Sequence, residues 1–319
     1  MLRIGVIGCA AIARRRMLPA MLAHPGVEIV AVASREAGKA AETARQFGCR
    51  PVTGYEALLA LDDVEAVYIP LPAALHEHWA GTALAAGKHV LAEKPLTTDP
   101  ARTRALMGTA RDRGLTLMEN VMFVYHSQHA TVRRLVADGA IGELRSFHSS
   151  FTIPALPGDD IRYQPELGGG SLYDVGVYPV RAALHFLGVG LEVRGAVLER
   201  PAGRQVDTSG AVLLRRGDGV TAQLSFGMEH AYRSRYELTG STGRVVVDRA
   251  FTPPSDHTPT VTLETASGTR TVALPPDDQV ANTLSSFVSA VRTRDETQPA
   301  QCVAQADLLA AVLHTAGHQ

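Results

Sequence analysis

The sequence predicts an α/β protein: an N-terminal doubly wound parallel sheet, then a second α/β domain with an open, mostly antiparallel sheet. Three observations predict it. Residues 1–121 alternate short β-branched runs with longer helical stretches, the pattern of βα units on a parallel sheet. A glycine-bearing turn lies at the first strand–helix junction. Beyond about residue 122, apolar runs follow one another across short turns, which is antiparallel patterning. With 319 residues the chain can hold two domains of ordinary size. They are expected at 1–121 and 122–319, with room for the C-terminal helices to pack back on the first.

Taken in order, "RIGVIG" reads as a strand and "AAIARRRMLPAMLAH" as a helix with an awkward Pro19. "VEIVAVAS" is a strand, and "EAGKAAETARQFG" a helix closed by Gly48. "TGYEALLAL" opens with Thr53 and Glu56 in capping-box spacing. The strand "VEAVYIPLP" precedes the helix "LHEHWAGTALAAG", which Gly87 stops. "HVLAEKPL" is followed by a helix with Asp99 as N-cap, Pro100 at its first position and Gly114 beyond its end. "LTLMENV" is the last strand of this half. The second half opens with a helix over 126–142 and the strand "ELRSFHSSFTI". After a loop ending in Gly168, Gly169 and Gly170 comes the helix "SLYDVGVYPVRAALHFLG". "GAVLLRR-GDG-VTAQLSFGM" and "TVTLET-ASG-TRTVALPP" are strand–turn–strand patterns, and helices over 279–296 and 303–316 close the chain.

The composition narrows the function. A formal net charge of −1 offers no basic footprint for nucleic acid. No apolar run reaches a membrane span, and the N-terminal apolar stretch precedes its arginines, the reverse of a signal peptide. Cys9, Cys49 and Cys302 are far apart and form no CxxC, so a reducing cytoplasm is expected, without structural zinc or disulfides. His76 and His78 sit too close for a helical two-histidine metal face, and no metal is expected.

"IGVIGCAAIA" follows the first strand and opens the first helix, where backbone N–H groups would meet a dinucleotide pyrophosphate. The G-x-G-x-x-G fingerprint is degraded here to Gly8-x-Ala10-x-x-Ala13. At the end of the second strand, an NAD site would place an acid for the ribose hydroxyl. Ser34 and Arg35 stand there instead. A guanidinium and a hydroxyl bind a 2′-phosphate that a carboxylate would repel, so the cofactor is expected to be NADP(H). Lys39 adds charge nearby, which a solvated helix lysine explains equally well.

The stretch "AGKHVLAEKPL" ends a strand on Glu93, Lys94 and Pro95. Among 31 basic residues only three are lysines, Lys39, Lys88 and Lys94. A lysine at a strand end in so arginine-rich a chain suggests a need for a titratable proton. A cis Lys94–Pro95 bond cannot be read from sequence.

"RIGVIGCAAIA", "IPLPAALHEHW", "GKHVLAEKPL", "GAIGELR" and "GGGSLYDVGVYPV" occur in the order found in the Gfo/Idh/MocA oxidoreductases, which the chain resembles along nearly its whole length. Within that family, "ENVMFVYHSQHATVRRLV" and "IRYQPELGGGSLYDVGVYPV" resemble the NDP-hexose 3-ketoreductases of deoxysugar and antibiotic biosynthesis. The resemblance implies a Rossmann domain and a second domain whose sheet makes a homo-oligomer, a dimer or tetramer. It implies NADP(H) contacts from Gly8, Cys9, Ala10, Ala11, Ile12, Ala13, Arg14, Ser34, Arg35, Leu71, His76, Glu93 and Lys94. It also implies a dTDP-sugar substrate, such as dTDP-3,4-diketo-2,6-dideoxyglucose, reduced at C-3. Many members carry D-x-G-x-H; this chain reads Asp174-Val-Gly-Val-Tyr178, so the histidine's acid–base role passes to Tyr178 or vanishes.

A ketone that accepts hydride becomes an alkoxide and needs charge stabilisation and a proton. Lys94 can supply both, where arginine would hardly give up its proton, and Tyr178 is the second candidate acid. Glu93 either orients the lysine or caps the strand. Arg162 would grip a diphosphate and Asp174 a sugar hydroxyl, against the alternatives of a solvated loop arginine and a first-turn helix acid. An NADP-dependent aldose or dihydrodiol dehydrogenase would keep Lys94 and Tyr178 without needing a diphosphate clamp. A non-catalytic NADP-sensing regulator would need neither residue.

Overall fold

The computed structural model describes residues 1–294 and 299–317. They form two compact units, Met1–Asn120 with Val280–Cys302, and Val121–Gln279 with Val303–Gln319.

In the first unit, β1 (Leu2–Ile7), α1 (Leu18–Ala23), β2 (Val27–Ser34), α2 (Ala37–Phe47), β3 (Arg50–Thr53), α3 (Tyr55–Leu59), β4 (Ala66–Ile69), α4 (Ala73–Ala85), β5 (His89–Glu93), α5 (Pro100–Asp112) and β6 (Leu117–Asn120) alternate along the chain. The six strands run parallel in the order β3-β2-β1-β4-β5-β6. Strand order reverses between β1 and β4, and the carboxyl ends at such a switch point are where a doubly wound sheet opens a crevice for ligand. The inner strands β1, β4 and β5 are buried on both faces, hence their continuous apolar runs.

Pro19 proves compatible with a helix because of what precedes it. Ala13–Met17 form a wide π-helical turn within a helix that runs on without a break into α1, Leu18 N–H bonding back to Ala13 O, and Pro19, which lacks an N–H, follows directly behind that wider turn. Asp99 caps α5 as expected, accepting from Ala101 N at 2.7 Å and Arg102 N at 3.3 Å. The capping box at Thr53 and Glu56 does not form. Thr53 is the last residue of β3, which pairs with β2, and Gly54 is the cap without a side-chain bond. The four-residue β3 itself escapes the sequence pattern because Pro51 interrupts it, a residue that a sheet edge tolerates.

In the second unit, α6 (Ser127–Ala137), β7 (Leu144–Thr152) and α7 (Val177–Leu187) precede a run of strands: β8 (Glu192–Glu199), β9 (Ser209–Arg215), β10 (Thr221–Gly227), β11 (Arg233–Gly240), β12 (Gly243–Asp248), β13 (Thr260–Thr265) and β14 (Gly268–Ala273). They form an eight-stranded sheet in the order β14-β13-β12-β11-β7-β10-β9-β8. Every neighbouring pair is antiparallel except β7 with β10. One face carries the core: Val212, Leu214, Ala222, Leu224 and Phe226 alternate inward with Val180 and Leu184 of α7. The outer face leaves Val197 and Leu213 exposed beside a groove of about 810 Å³ that Arg233, Arg235 and Glu237 also line. The helices α8 (Gln279–Thr293) and α9 (Pro299–Thr315) follow, α9 starting four residues earlier than its apolar pattern suggests. The expected end of the helix over 279–296 lies outside the described residues. No described helix is long and apolar enough to cross a membrane.

Candidate functional site

The candidate residues fall into two groups, one in each unit. In the first unit, the chain leaves β1 through Gly8, whose φ of +115° and contact with Leu71 (2.9 Å from a built Cβ) exclude a side chain. Ala13, in the fingerprint's third glycine position, is fully buried, so the helix packs on the sheet with a methyl in between. At the end of β2, Ser34 is buried and its Oγ accepts from Glu36 N at 3.2 Å. Arg35 next to it is exposed. Lys39 is paired with Glu36 at 2.6 Å, in keeping with the solvated-helix alternative. The Gly8 cradle, the N–H groups that follow it and the Ser34–Arg35 donor set fit a dinucleotide carrying a 2′-phosphate.

His76 is fully buried on α4. Its Nδ1 lies 2.8 Å from Pro95 O and its Nε2 2.7 Å from Leu71 O. One imidazole thus braces the segment after β4 against the turn after β5. Burial pushes its pKa down, the two carbonyls pulling the other way. The neutral ring that burial favours donates to one carbonyl at a time.

β5 ends on Glu93, whose Oε1 accepts from Tyr68 Oη and from Asn120 Nδ2, both at 2.7 Å. Its carboxylate is therefore turned into the sheet between β4 and β6. Tyr68 has its phenol raised well above its ordinary value, by burial first and the Glu93 charge second. Lys94, half-buried, is joined to Pro95 by a cis peptide bond. The turn is held from below by Glu119, whose Oε1 accepts from Leu96 N at 2.9 Å. Tyr68, Glu119 and Asn120 escaped sequence reading, since each meets its partner only through strand pairing.

In the second unit, Arg162 is tied down on two sides. Its Nε donates to Asp174 Oδ2 at 2.8 Å, and its Nη1 to Asp160 at 3.1 and 3.2 Å. Asp174 and Asp160 hold the guanidinium above its ordinary pKa despite burial. Arg162 and Asp174, expected as separate contacts, thus form one unit. The Gly168–Gly170 turn has a packing cause. A Cβ on Gly169 would lie 2.6 Å from Arg162 O, and one on Gly170, at φ +116°, 2.5 Å from Asp207 Oδ1. Asp207, which nothing in the local sequence singles out, accepts from Ser171 Oγ at 2.5 Å and Leu172 N at 2.8 Å and so anchors the helix start. That helix begins with a π-helical turn, Leu172–Gly176, and α7 follows with Pro179 near its start. Tyr178 is half-buried, its ring against Phe151 at 4.8 Å, Phe251 at 5.7 Å and Phe123 at 6.0 Å. Three aromatic neighbours fix the direction of its phenol.

Comparison with known proteins agrees with this geometry. Residues 2–121 match the oxidoreductase family with an NAD-binding Rossmann fold, and residues 129–246 match the GFO/IDH/MocA C-terminal domain. The chain belongs to the Gfo/Idh/MocA oxidoreductase family. This Gfo/Idh/MocA protein is 52% identical over 318 residues to a dTDP-3,4-didehydro-2,6-dideoxy-alpha-D-glucose 3-reductase of Streptomyces antibioticus, covering 99% of this chain and 97% of the relative. A relative of the same description from Actinomadura kijaniata is 54% identical over 290 residues, covering 91% and 87%. The crystal structure of a 3-ketoreductase from Actinomadura kijaniata in complex with NADP and TDP-benzene superimposes with a TM-score of 0.96 at 51% identity, covering 98% and 97% of the two chains.

Proposed function

We propose that this Gfo/Idh/MocA protein is an NADPH-dependent sugar 3-ketoreductase, reducing the C-3 ketone of a dTDP-linked keto-deoxysugar such as dTDP-3,4-diketo-2,6-dideoxyglucose. The observation that carries the reading is the end-to-end match, 99% of this chain against 97% of a dTDP-sugar 3-reductase. NADPH, when bound, supplies the hydride. The Gly8–Arg14 turn and Leu71 would line the dinucleotide, and Ser34 with Arg35 would hold its 2′-phosphate. His76, through its two carbonyls, keeps that lining in place. Lys94 is assigned charge stabilisation and protonation of the alkoxide oxygen, with Tyr178 as the second proton-bearing group on that oxygen. Arg162 and Asp174 are assigned to the substrate. Turnover of NADPH with a panel of dTDP-3-keto sugars tests the reading. Reduction of the 3-ketone supports it; activity confined to free aldoses or dihydrodiols would overturn it.

Cofactor binding is assigned to residues 1–121, and substrate binding and assembly to the domain that follows. The outer face of the second sheet, with Val197 and Leu213 exposed among Arg233, Arg235 and Glu237, is the proposed interface of a homodimer or homotetramer in the cytoplasm. Neither nucleic acid nor membrane is a proposed partner. Sedimentation of the wild type against Leu213→Glu reads the assembly, and a wild type that sediments as a monomer would overturn it.

A further inference from the structure

Tyr163 follows Arg162 directly and is 7% exposed, so nearly all of its ring is covered. Part of the cover is a cation from a distant connection. The Arg204 guanidinium lies over the ring, its carbon 3.9 Å from the centroid. Arg204 sits between β8 and β9, in a turn where its N–H donates to Pro201 O at 3.0 Å. Its Nη2 donates to Glu229 Oε1 at 2.6 Å, just beyond the end of β10. A flat guanidinium can lay its face on a ring and give its edge to a carboxylate at once, which an ammonium cannot.

The same connection meets the Arg162 loop a second time. Asp207 accepts from Ser171 Oγ and Leu172 N, and its backbone O accepts from Ser171 N at 2.8 Å. The connection is itself fixed, Thr208 N donating to Glu199 O at 2.9 Å and Met228 N to Thr208 O at 2.8 Å. Tyr163 carries the hold to the start of the loop, its Oη accepting from Leu156 N at 3.3 Å. Asp207 serves a helix start, which the fold alone explains. Arg204 caps no helix and pairs in no strand, and what it fixes is the residue beside Arg162.

We propose that Arg204 is a positioning residue for Arg162: stacked on Tyr163 and tied to Glu229, it holds the loop so that the Arg162 guanidinium meets a nucleoside diphosphate in one place. The inference rests on the assignment of Arg162 to the substrate. It deepens that assignment by naming what fixes the backbone that carries the arginine.

Calorimetric titration with dTDP and, separately, with NADPH tests it without turnover. Arg204→Ala should weaken dTDP binding roughly threefold to tenfold and change NADPH binding less than about twofold. Arg204→Lys, which keeps the charge without the plane, should not restore the dTDP affinity. In an Arg162→Ala background, Arg204→Ala should weaken dTDP binding no further, because its effect passes through Arg162. Unchanged dTDP affinity, equal weakening of both ligands, full recovery by lysine, or a loss that persists without Arg162 would each overturn the positioning role. A wild type that binds no dTDP at millimolar concentration would overturn the substrate assignment itself, a separate outcome.

Discussion

Arg162 and Asp174 are joined Nε to Oδ2 at 2.8 Å, so a substitution at either changes what the other can offer a substrate. A diphosphate reaching Arg162 must share it with Asp174 and with Asp160. We expect dTDP alone to raise the unfolding temperature by linkage. Arg162→Ala should reduce that shift, and Asp160→Asn, which removes a competing charge, should preserve or increase it. Differential scanning fluorimetry at millimolar dTDP reads all three. No shift for the wild type would favour a free-sugar substrate.

Lys94→Met keeps an apolar stem and loses the ammonium. If Lys94 serves the developing alkoxide, kcat should fall roughly 100-fold or more while substrate affinity changes little. Lys94→Arg should remain poor, since guanidinium holds its proton. Tyr178→Phe should cost less if the lysine is the acid and as much if the phenol is. If both residues act on one oxygen, as proposed, the double variant should lose less than the product of the single losses. Steady-state kinetics decides, and near wild-type kcat in Lys94→Met would remove the lysine from the mechanism.

With Ser34 and Arg35 at the end of β2, NADPH should bind at least tenfold more tightly than NADH, about 1.4 kcal/mol. Arg35→Asp should erase or invert the preference. The measurement is the pair of dissociation constants by fluorescence titration, and an unaltered ratio in Arg35→Asp would show that another group holds the 2′-phosphate.

Acid should weaken the second unit through its buried histidines. Burial pushes His185 down from 6.5 to about 4, with the charges of Arg133 and Arg181 in the same direction. His129, its ring centroid 6.1 Å away, is lowered by burial and by both neighbouring histidines. A depressed folded pKa means the unfolded chain binds the proton first. Stability is therefore complete above about pH 6.5 and is lost as pH falls towards 4. For His185 alone the full loss is ~3 kcal/mol. Calorimetry should show the unfolding temperature falling from pH 7 to pH 5, and falling less in His185→Gln. Parallel curves for the two proteins would exclude His185 as the cause.

The parts legible in the sequence are those whose causes are local. "VEIVAVAS" gave β2 its bounds residue for residue, because a β-branched run between Gly26 and a charged cluster has no competing pattern. Asp99 and Pro100 announced α5 because a cap acts within three residues. Thr53 and Glu56 misled for the opposite reason: pairing with β2 claimed Thr53 for a strand, and no local spacing reveals a neighbour strand. At the candidate site, Lys94 stood out by its type. The residues around it did not, since Tyr68 and Asn120 reach Glu93 from 25 and 27 positions away. Asp207 lies 36 residues beyond the serine it holds.

The two π-helical turns, Ala13–Met17 and Leu172–Gly176, carry a consequence for how this chain can vary. Each is in effect one residue of surplus backbone inserted in an otherwise ordinary helix. A wide turn of five residues sweeps about the same angle as an ordinary turn of four, so the surplus residue is absorbed without turning one flank against the other. Removing it would leave an ordinary helix interior just where Pro19 and Pro179 follow, each without an N–H and each crowding the turn before it. In natural variation, the wide turn and the proline behind it should therefore be gained and lost together.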